Sequence, residues 1–127
     1  MEGRMQFNSI LIGSEDPARL AEYYTRIFGE PVYTDSSYST WMIGAGAMSI
    51  GPHSEVHGRN PQPGRLIWNI ETADVKAEFD RMKAAGAIVV REPYSFEDFP
   101  GSWIATLADP DDNYFQLMTP MPETTGA

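Results

Sequence analysis

Residues 16–29 read DPARLAEYYTRIFG and carry the signals of an amphipathic helix at both ends and along one face. Asp16 is a residue type that accepts backbone N–H bonds as an N-cap, Pro17 suits the first helical position, and Gly29 suits the left-handed conformation at a helix end. Apolar side chains recur between them with helical spacing: Leu20, Tyr23, Tyr24, Ile27 and Phe28. The stretch therefore predicts a helix with one buried face.

A second helix pattern repeats this layout in the other half of the chain, from about Ala73 to Gly86. Thr72 or Asp74 opens it, and Gly86 stops it. Its apolar face consists of Val75, Phe79 and Met82. Two helices of similar design indicate a repeated unit.

Strand patterns occur in the same order around both helices. Around the first helix they are FNSILI (7–12), PVYT (31–34), STWMI (39–43) and AMSI (47–50). Around the second they are RLIWNI (65–70), AIVV (87–90), SWIATL (102–107) and NYFQLM (113–118). Each half reads strand–helix–strand–strand–strand, which indicates an internal duplication of a βαβββ unit.

The predicted fold is α+β, with two βαβββ modules that form a cupped mixed β-sheet and carry their helices on its outer face. We predict one domain over residues 5–121, made of module 5–51 and module 65–120. Residues 52–64 are rich in Gly and Pro and are predicted to connect the two modules.

The charge balance and the missing cysteines exclude several classes of protein. The chain has 127 residues, 18 Asp and Glu against 9 Lys and Arg, a net charge of −9, and no Cys. Nucleic-acid binding needs clustered cations, and disulfide frameworks, Cys-based zinc sites and thiol catalysis all need cysteine. No apolar run approaches the ~20 residues of a membrane span. We therefore expect a cytoplasmic protein that binds neither nucleic acid nor membrane.

These elements together resemble the vicinal oxygen chelate superfamily, which includes glyoxalase I, extradiol dioxygenases, and fosfomycin- and bleomycin-resistance proteins. The resemblance rests on the paired βαβββ order and on DPARLAEYYTRIFGE (16–30), KAAGA (83–87), IVVREP (88–93) and DPDDNYFQL (109–117). It covers roughly residues 5–120. The resemblance implies a site for a small organic molecule inside the cup and, commonly, a homodimer.

Enzymes of this superfamily hold a divalent metal at positions that correspond here to Asn8, Ser49, Arg65 and Gln116. A divalent cation prefers carboxylate oxygen or neutral imidazole, and the guanidinium of Arg65 is positive and has no lone pair. The amides of Asn8 and Gln116 coordinate only weakly. We therefore expect no cofactor, the alternative being a divalent metal such as Zn, Ni, Mn or Fe.

The same positions suit the lining of a site for an organic ligand. The period of two in RLIWNI puts Arg65 and Asn69 on one mixed face, where Arg65 could clamp a carboxylate or carbonyl. Aromatic side chains on three strands are placed toward the ligand as well. The predicted ligand-binding residues are Asn8, Trp41, Ser49, Arg65, Asn69, Trp103, Tyr114 and Gln116; no catalytic residue is predicted.

Residues 92–103, EPYSFEDFPGSW, are predicted to form a loop in which aromatic rings stand beside Glu97 and Asp98. Rings interleaved with carboxylates suit a flat cationic compound. The same rings equally suit a structural role in pinning the loop. On the first interpretation the ligand is neutral or cationic.

Two further motifs favour structural roles. His53, Glu55 and His57 lie in the connector and depart from the helical H-E-x-x-H zinc pattern, so a solvated loop is expected. DPDDN (109–113) is typical of a turn between strands, and Asp112 stands where the superfamily usually has Gly. We therefore expect a turn that is slightly strained if φ at Asp112 is positive.

Two functions from different classes remain open. One is a metal-free protein that sequesters an organic molecule, similar to the drug-resistance branch. The other is a metal-dependent lyase, isomerase or dioxygenase with diverged ligands. The amides of Asn8 and Gln116 leave this function open, because their oxygens can coordinate a metal weakly. A small domain with no ligand role beyond assembly is the third possibility.

Overall fold

The structure is a computed structural model that describes residues 4–96 and 98–120, without the side chains of residues 96 and 99. The chain divides into two compact units, Met1–Arg59 and Asn60–Ala127. Each unit is one four-stranded mixed sheet with one α-helix. No helix in the described part of the chain is long and apolar enough to span a bilayer.

The first unit has the order strand, helix, strand, strand, strand. Its elements are β1 (Ser9–Ser14), α1 (Pro17–Phe28), β2 (Tyr33–Thr34), β3 (Ser39–Ile43) and β4 (Gly46–Pro52). The strand order in the sheet is β1-β4-β3-β2, with β1 and β4 parallel and the other pairs antiparallel.

The second unit repeats this arrangement after a 3-10 turn at Pro63–Arg65. Its elements are β5 (Ile67–Glu71), α2 (Val75–Ala84), β6 (Ile88–Phe96), β7 (Phe99–Ala108) and β8 (Tyr114–Met118). The strand order is β5-β8-β7-β6, with β5 and β8 parallel. The predicted α+β fold of two βαβββ modules is therefore confirmed.

Both helices begin at the type of cap that the sequence predicts. The carboxylate of Asp16 accepts the Arg19 N–H at 3.2 Å, and Asp74 accepts the Ala77 N–H at 3.1 Å, so Asp74 rather than Thr72 opens the second helix. Gly29, with φ of 87°, follows α1 in a conformation that glycine adopts at little cost.

The core of each unit lies between its helix and one face of its sheet. In the first unit the buried residues of α1 meet Trp41, Met48 and Ile50. In the second unit α2 buries its apolar face against β6, β7 and β8. The buried residues there include Val75, Phe79, Met82, Leu107, Phe115 and Leu117. In both units the opposite face of the sheet does not pack against the helix of that unit.

The predicted loop at residues 92–103 is wrong. β6 continues through Phe96 and β7 begins at Phe99, so most of this stretch is a hairpin. The regular alternation is lost because the register shifts on both sides of Arg91 and again between Ser95 and Phe96. Pro93 lies within one of these shifts, where its missing N–H costs no regular ladder bond. The predicted cluster of aromatic rings and carboxylates consists of Tyr94, Phe96, Glu97, Asp98 and Phe99. Glu97 and the side chains of Phe96 and Phe99 lie outside the described residues.

The turn at residues 109–113 is structural, as the sequence predicts. The carboxylate of Asp109 is fully buried and accepts the N–H groups of Asp111 at 2.8 Å and Asn113 at 3.0 Å. Asp112 has φ of 64°, the left-handed value that favours glycine. The turn therefore holds β7 and β8 in register and carries one residue of mild backbone strain.

Candidate functional site

Four polar side chains form one row across the second sheet, which we call the polar row: Asn69, Gln116, Thr106 and Arg91. The register pairs Asn69 with Gln116, Gln116 with Thr106, and Thr106 with Arg91, one residue from each of the four strands. Directly paired residues point to the same face of a sheet. Their strand neighbours Trp68, Phe115 and Leu107 are paired on the opposite face, where α2 packs. The polar row therefore lies on the face away from α2.

One hydrogen bond orients the middle of the polar row. Gln116 Nε2 donates to Thr106 Oγ1 at 3.1 Å, and Thr106 is only 6% exposed. This bond uses the amide nitrogen and leaves Gln116 Oε1 as an acceptor. Asn69 and Arg91, at the two ends of the row, are exposed. The row thus offers both donors and acceptors to a molecule on this face.

Mostly apolar rows flank the polar row on the same face. On one side the register aligns Ile67, Tyr114, Ala108 and Ile88. On the other side it aligns Glu71, Met118, Ile104 and Tyr94. A few polar groups framed by apolar and aromatic side chains are typical of sites for small organic ligands.

Of the predicted site residues in this unit, Asn69, Tyr114 and Gln116 share that face. Arg65 does not extend the strand as predicted, because Pro63 opens a 3-10 turn that ends at Arg65, and β5 begins only at Ile67. The Arg65 guanidinium is held within this turn by Gln62, with Nε 3.0 Å from Oε1. Its placement on the fifth strand is therefore a wrong prediction.

The predicted ligand-facing orientation of Trp103 is also wrong. Trp103 alternates with Ile104 and shares its face with Ala105 and Leu107, which are fully buried. Nζ of Lys76, a residue of α2, lies 3.5 Å from the centroid of the Trp103 ring. The ring therefore belongs to the helix side of the sheet, where it packs under a lysine.

In the first unit, Ser49 lies on the face away from α1. Its Oγ is 2.7 Å from Oγ1 of Thr40, and the register continues this row to Leu11 on one side and Tyr33 on the other. Asn8 precedes β1 and is exposed; its backbone carbonyl accepts the Ala47 N–H at 3.2 Å. Ser49 is thus a sheet residue, and Asn8 lies just before the sheet.

Trp41 was expected to face a ligand, and the structure places it in the core instead. It is 2% exposed, its ring centroid is 6.2 Å from that of Tyr24 in α1, and its Nε1 donates to the Gly29 carbonyl at 2.8 Å. The large ring lies on the helix side, because packing between the sheet and α1 removes the most apolar surface from water.

The divalent metal that the superfamily implies does not fit the residues present. The corresponding positions supply two amides, one hydroxyl and one guanidinium, none of them a carboxylate or imidazole. Gln116 offers only its carbonyl oxygen, since its amide nitrogen is bonded to Thr106. Within residues 4–96 and 98–120, no group of three or more His, Asp or Glu side chains is placed to hold a metal.

The two histidines make local contacts in the connector. His53 Nδ1 accepts the Glu55 N–H at 3.1 Å, and His57 Nδ1 lies 3.6 Å from Glu15 Oε2. All these side chains are exposed. The arrangement is that of a solvated loop, as the sequence predicts.

A groove of about 580 Å³ lies on the helix side of the first sheet, between the start of α1 and the β2–β3 turn. Its walls include the carboxylates of Glu15, Asp16 and Asp35. Two of these have local roles: Asp16 caps α1, and Asp35 accepts the Ser37 and Tyr38 N–H groups at 2.7 Å each. Asp16 and Asp35 therefore shape the chain around this groove.

The Tyr33 hydroxyl donates to Asp35 Oδ2 at 2.6 Å, and this bond alters both pKa values. It is the largest cause of the lowered pKa of Asp35, ahead of the Ser37 and Tyr38 N–H groups, and it also raises the pKa of Tyr33. Since the folded pKa of Asp35 is lowered, these bonds stabilise the turn at pH above the ordinary carboxyl pKa. That stabilisation is lost as the pH falls through the lowered value.

We expect Tyr33→Phe to raise the pKa of Asp35 toward its ordinary value, because the substitution removes the hydroxyl that favours the carboxylate. A pH titration of the Asp35 carboxyl signal by NMR measures this shift. Tyr38→Phe is the matched control, since only the backbone N–H of Tyr38 bonds to Asp35. An unchanged Asp35 pKa in Tyr33→Phe would contradict the assigned cause.

Sequence reasoning missed two members of the polar row, Thr106 and Arg91. A signal for Thr106 was available, because it alternates with Ala105 and Leu107 in a strand whose other face is apolar. Arg91 gave no such signal, since the register shifts around it break the period of two.

Comparisons with known proteins agree with this architecture. Residues 9–118 match the family described as a glyoxalase-like domain. A solved structure titled "conserved domain protein" is 19% identical with a TM-score of 0.76, covering 92% of this chain and 100% of that one. A glyoxalase-related enzyme from Fulvimarina pelagi is 19% identical with a TM-score of 0.73, covering 94% and 93%.

A glyoxalase/bleomycin resistance protein/dioxygenase family enzyme from Burkholderia phytofirmans PsJN is 18% identical with a TM-score of 0.69 and covers 90% of this chain and 98% of that chain. No curated protein matches the chain significantly. At these identities the solved structures establish the fold, and the domain match establishes the family. The chain belongs to the glyoxalase-like domain family of the vicinal oxygen chelate superfamily.

Proposed function

We propose that this protein binds a small organic molecule without a metal ion and without transforming it, and that the polar row is part of the binding surface. The observation that carries the proposal is the composition of the row: two amides, a hydroxyl and a guanidinium between mostly apolar rows. These groups orient a ligand by hydrogen bonds, since the amides and the hydroxyl both donate and accept and the guanidinium donates.

The arrangement suits binding in two physical ways. The flanking residues Ile67, Ile104, Tyr114 and Met118 are half-buried and offer apolar surface to a ligand. The Gln116–Thr106 bond fixes the central amide, so less side-chain entropy is lost when a ligand bonds to it. General acid–base catalysis needs a group such as His, Asp or Glu. None of the four row residues is of that kind, and Glu71 of the flanking row is exposed at the end of β5.

The test is a titration of ¹⁵N-labelled protein with benzamide in buffer containing EDTA, followed by NMR. We expect the side-chain amide signals of Asn69 and Gln116 to shift, and Asn69→Ala to weaken binding about tenfold through the loss of hydrogen bonds. Lys83→Ala, an exposed change on α2, is the control and is expected to bind as the native chain does.

A parallel calorimetric titration with nickel, zinc and manganese separates this proposal from its alternative, a divalent-metal-dependent lyase, isomerase or dioxygenase. We expect no tight stoichiometric metal site. One metal ion per chain, bound tightly and lost in Gln116→Ala, would contradict the proposal and favour the metal-dependent enzyme. Assembly as a homodimer stays a prediction of the resemblance.

A further inference from the structure

Arg91 is the one charged side chain of the polar row, and its guanidinium is held in place by an aromatic ring. Its Cζ lies 3.8 Å from the centroid of Tyr94. Among the described residues, no carboxylate forms an ion pair with Arg91 and no side chain accepts a hydrogen bond from it. The guanidinium is therefore positioned by stacking while its N–H groups remain available within the described part of the chain.

A register shift brings Arg91 and Tyr94 to the same face. The two residues are three positions apart, so in a regular strand their side chains would point in opposite directions. In β6 they pair with Thr106 and Ile104, which are two positions apart on β7 and therefore share a face. The irregularity between Arg91 and Tyr94 makes this possible, and the one between Val89 and Arg91 places Arg91 opposite Thr106. Bulges of this kind often redirect a side chain next to a functional site.

We propose that Arg91, stacked on Tyr94, binds the carboxylate of the ligand, so that the protein takes small organic carboxylates. The Arg91 guanidinium carbon lies over the Tyr94 ring, and the planar N–H fork of a guanidinium matches the two oxygens of a carboxylate. Stacking also limits the rotamers that binding would otherwise have to freeze. The amide groups of the row would then contact the rest of the molecule. This proposal rests on the proposed function of the polar row.

A carboxylate ligand is anionic, in contrast to the neutral or cationic compound expected from the sequence. The acidic stretch around Glu97 and Asp98 favoured a neutral or cationic compound, and the net charge of −9 repels anions at long range. A carboxylate is held here by direct contact with one positioned cation. Because long-range repulsion is screened by salt, we expect carboxylate affinity to be retained at moderate ionic strength.

The experiment compares benzoate with benzamide, its neutral near-isostere, by NMR titration of the native chain and of Arg91→Gln. We expect benzoate to bind the native chain about tenfold more tightly, as a charge-assisted bidentate bond exceeds neutral ones. Arg91→Gln should abolish this preference, so that benzoate and benzamide bind the variant with equal affinity. Arg91→Lys should restore only part of it, because an ammonium lacks the planar fork.

Arg26→Gln is the matched control, since Arg26 also lies over a tyrosine ring, that of Tyr23 on α1, with a Cζ to centroid distance of 5.8 Å. It should keep the full benzoate preference. Equal binding of benzoate and benzamide to the native chain, with shifts at Asn69 and Gln116, would overturn the role of Arg91 and leave the proposed function standing. Inorganic phosphate competing as well as benzoate would overturn the carboxylate assignment. Absence of shifts at the polar row with either compound would overturn both proposals.

Discussion

Asp109→Ala is expected to lower the free energy of unfolding by about 3–5 kcal/mol, since it breaks a buried hydrogen-bonded network at a charged group. Asp109 is 0% exposed, and its carboxylate accepts bonds from the Asp111 N–H, the Asn113 N–H and the Asn113 side-chain amide. Truncation would leave these donors in a buried turn without their acceptor. Chemical denaturation of the variant and the native chain measures the difference.

Asp109→Asn separates the charge from the shape of the side chain. One oxygen remains for the two backbone N–H groups, while the new amide faces Asn113 Nδ2, which is also a donor. The side-chain amide of Asn113 cannot flip without losing a hydrogen bond, because its Oδ1 accepts from Asn60 Nδ2 at 3.2 Å. We expect a cost of about 1–3 kcal/mol for this mismatch.

Asp80→Asn makes the same chemical change at an exposed position of α2 and is the control for Asp109→Asn. It is expected to change the stability by less than about 0.5 kcal/mol. Equal effects at positions 80 and 109 would show that net charge, and not the buried network, accounts for the loss.

Much of the fold could be predicted because its determinants are local. Asp16, Asp74 and Gly29 mark helix ends through hydrogen bonds and backbone angles that depend on a few neighbouring residues. The β3 stretch 39–43 is predicted without error for the same reason, since turn residues bound it on both sides. The repeat of these local patterns then predicts the two-module order.

The face toward which a strand points its large rings was harder to predict, as was the β6–β7 hairpin. Alternation says that Trp41 and Met42 lie on opposite faces, but not which of the faces packs against the helix. In the hairpin, Pro93 and the register shifts around Arg91 remove the alternation itself. In the candidate site, Asn69 and Tyr114 were predicted from regular strands and Gln116 from the resemblance, whereas Arg91 was not predicted.

Trp41→Ala is expected to lower the free energy of unfolding by about 3–5 kcal/mol, because it leaves a cavity in the core of the first unit. This loss is at least about one fifth of the roughly 5–15 kcal/mol by which typical domains are stable. Trp41→Phe should lose less, since it keeps most of the contact with Tyr24 and removes mainly the Nε1 bond to the Gly29 carbonyl. Denaturation monitored by circular dichroism measures all variants on one scale.

Met42→Ala is the matched control, because Met42 follows Trp41 on β3, points to the opposite face and is 52% exposed. It should cost less than about 1 kcal/mol. The pair also decides between the two roles considered for Trp41. If Trp41 is a core residue, Trp41→Phe lowers the free energy of unfolding and leaves the benzamide affinity unchanged. If Trp41 contacts the ligand, Trp41→Phe weakens benzamide binding and leaves the stability unchanged. That result would overturn the placement of Trp41 against α1.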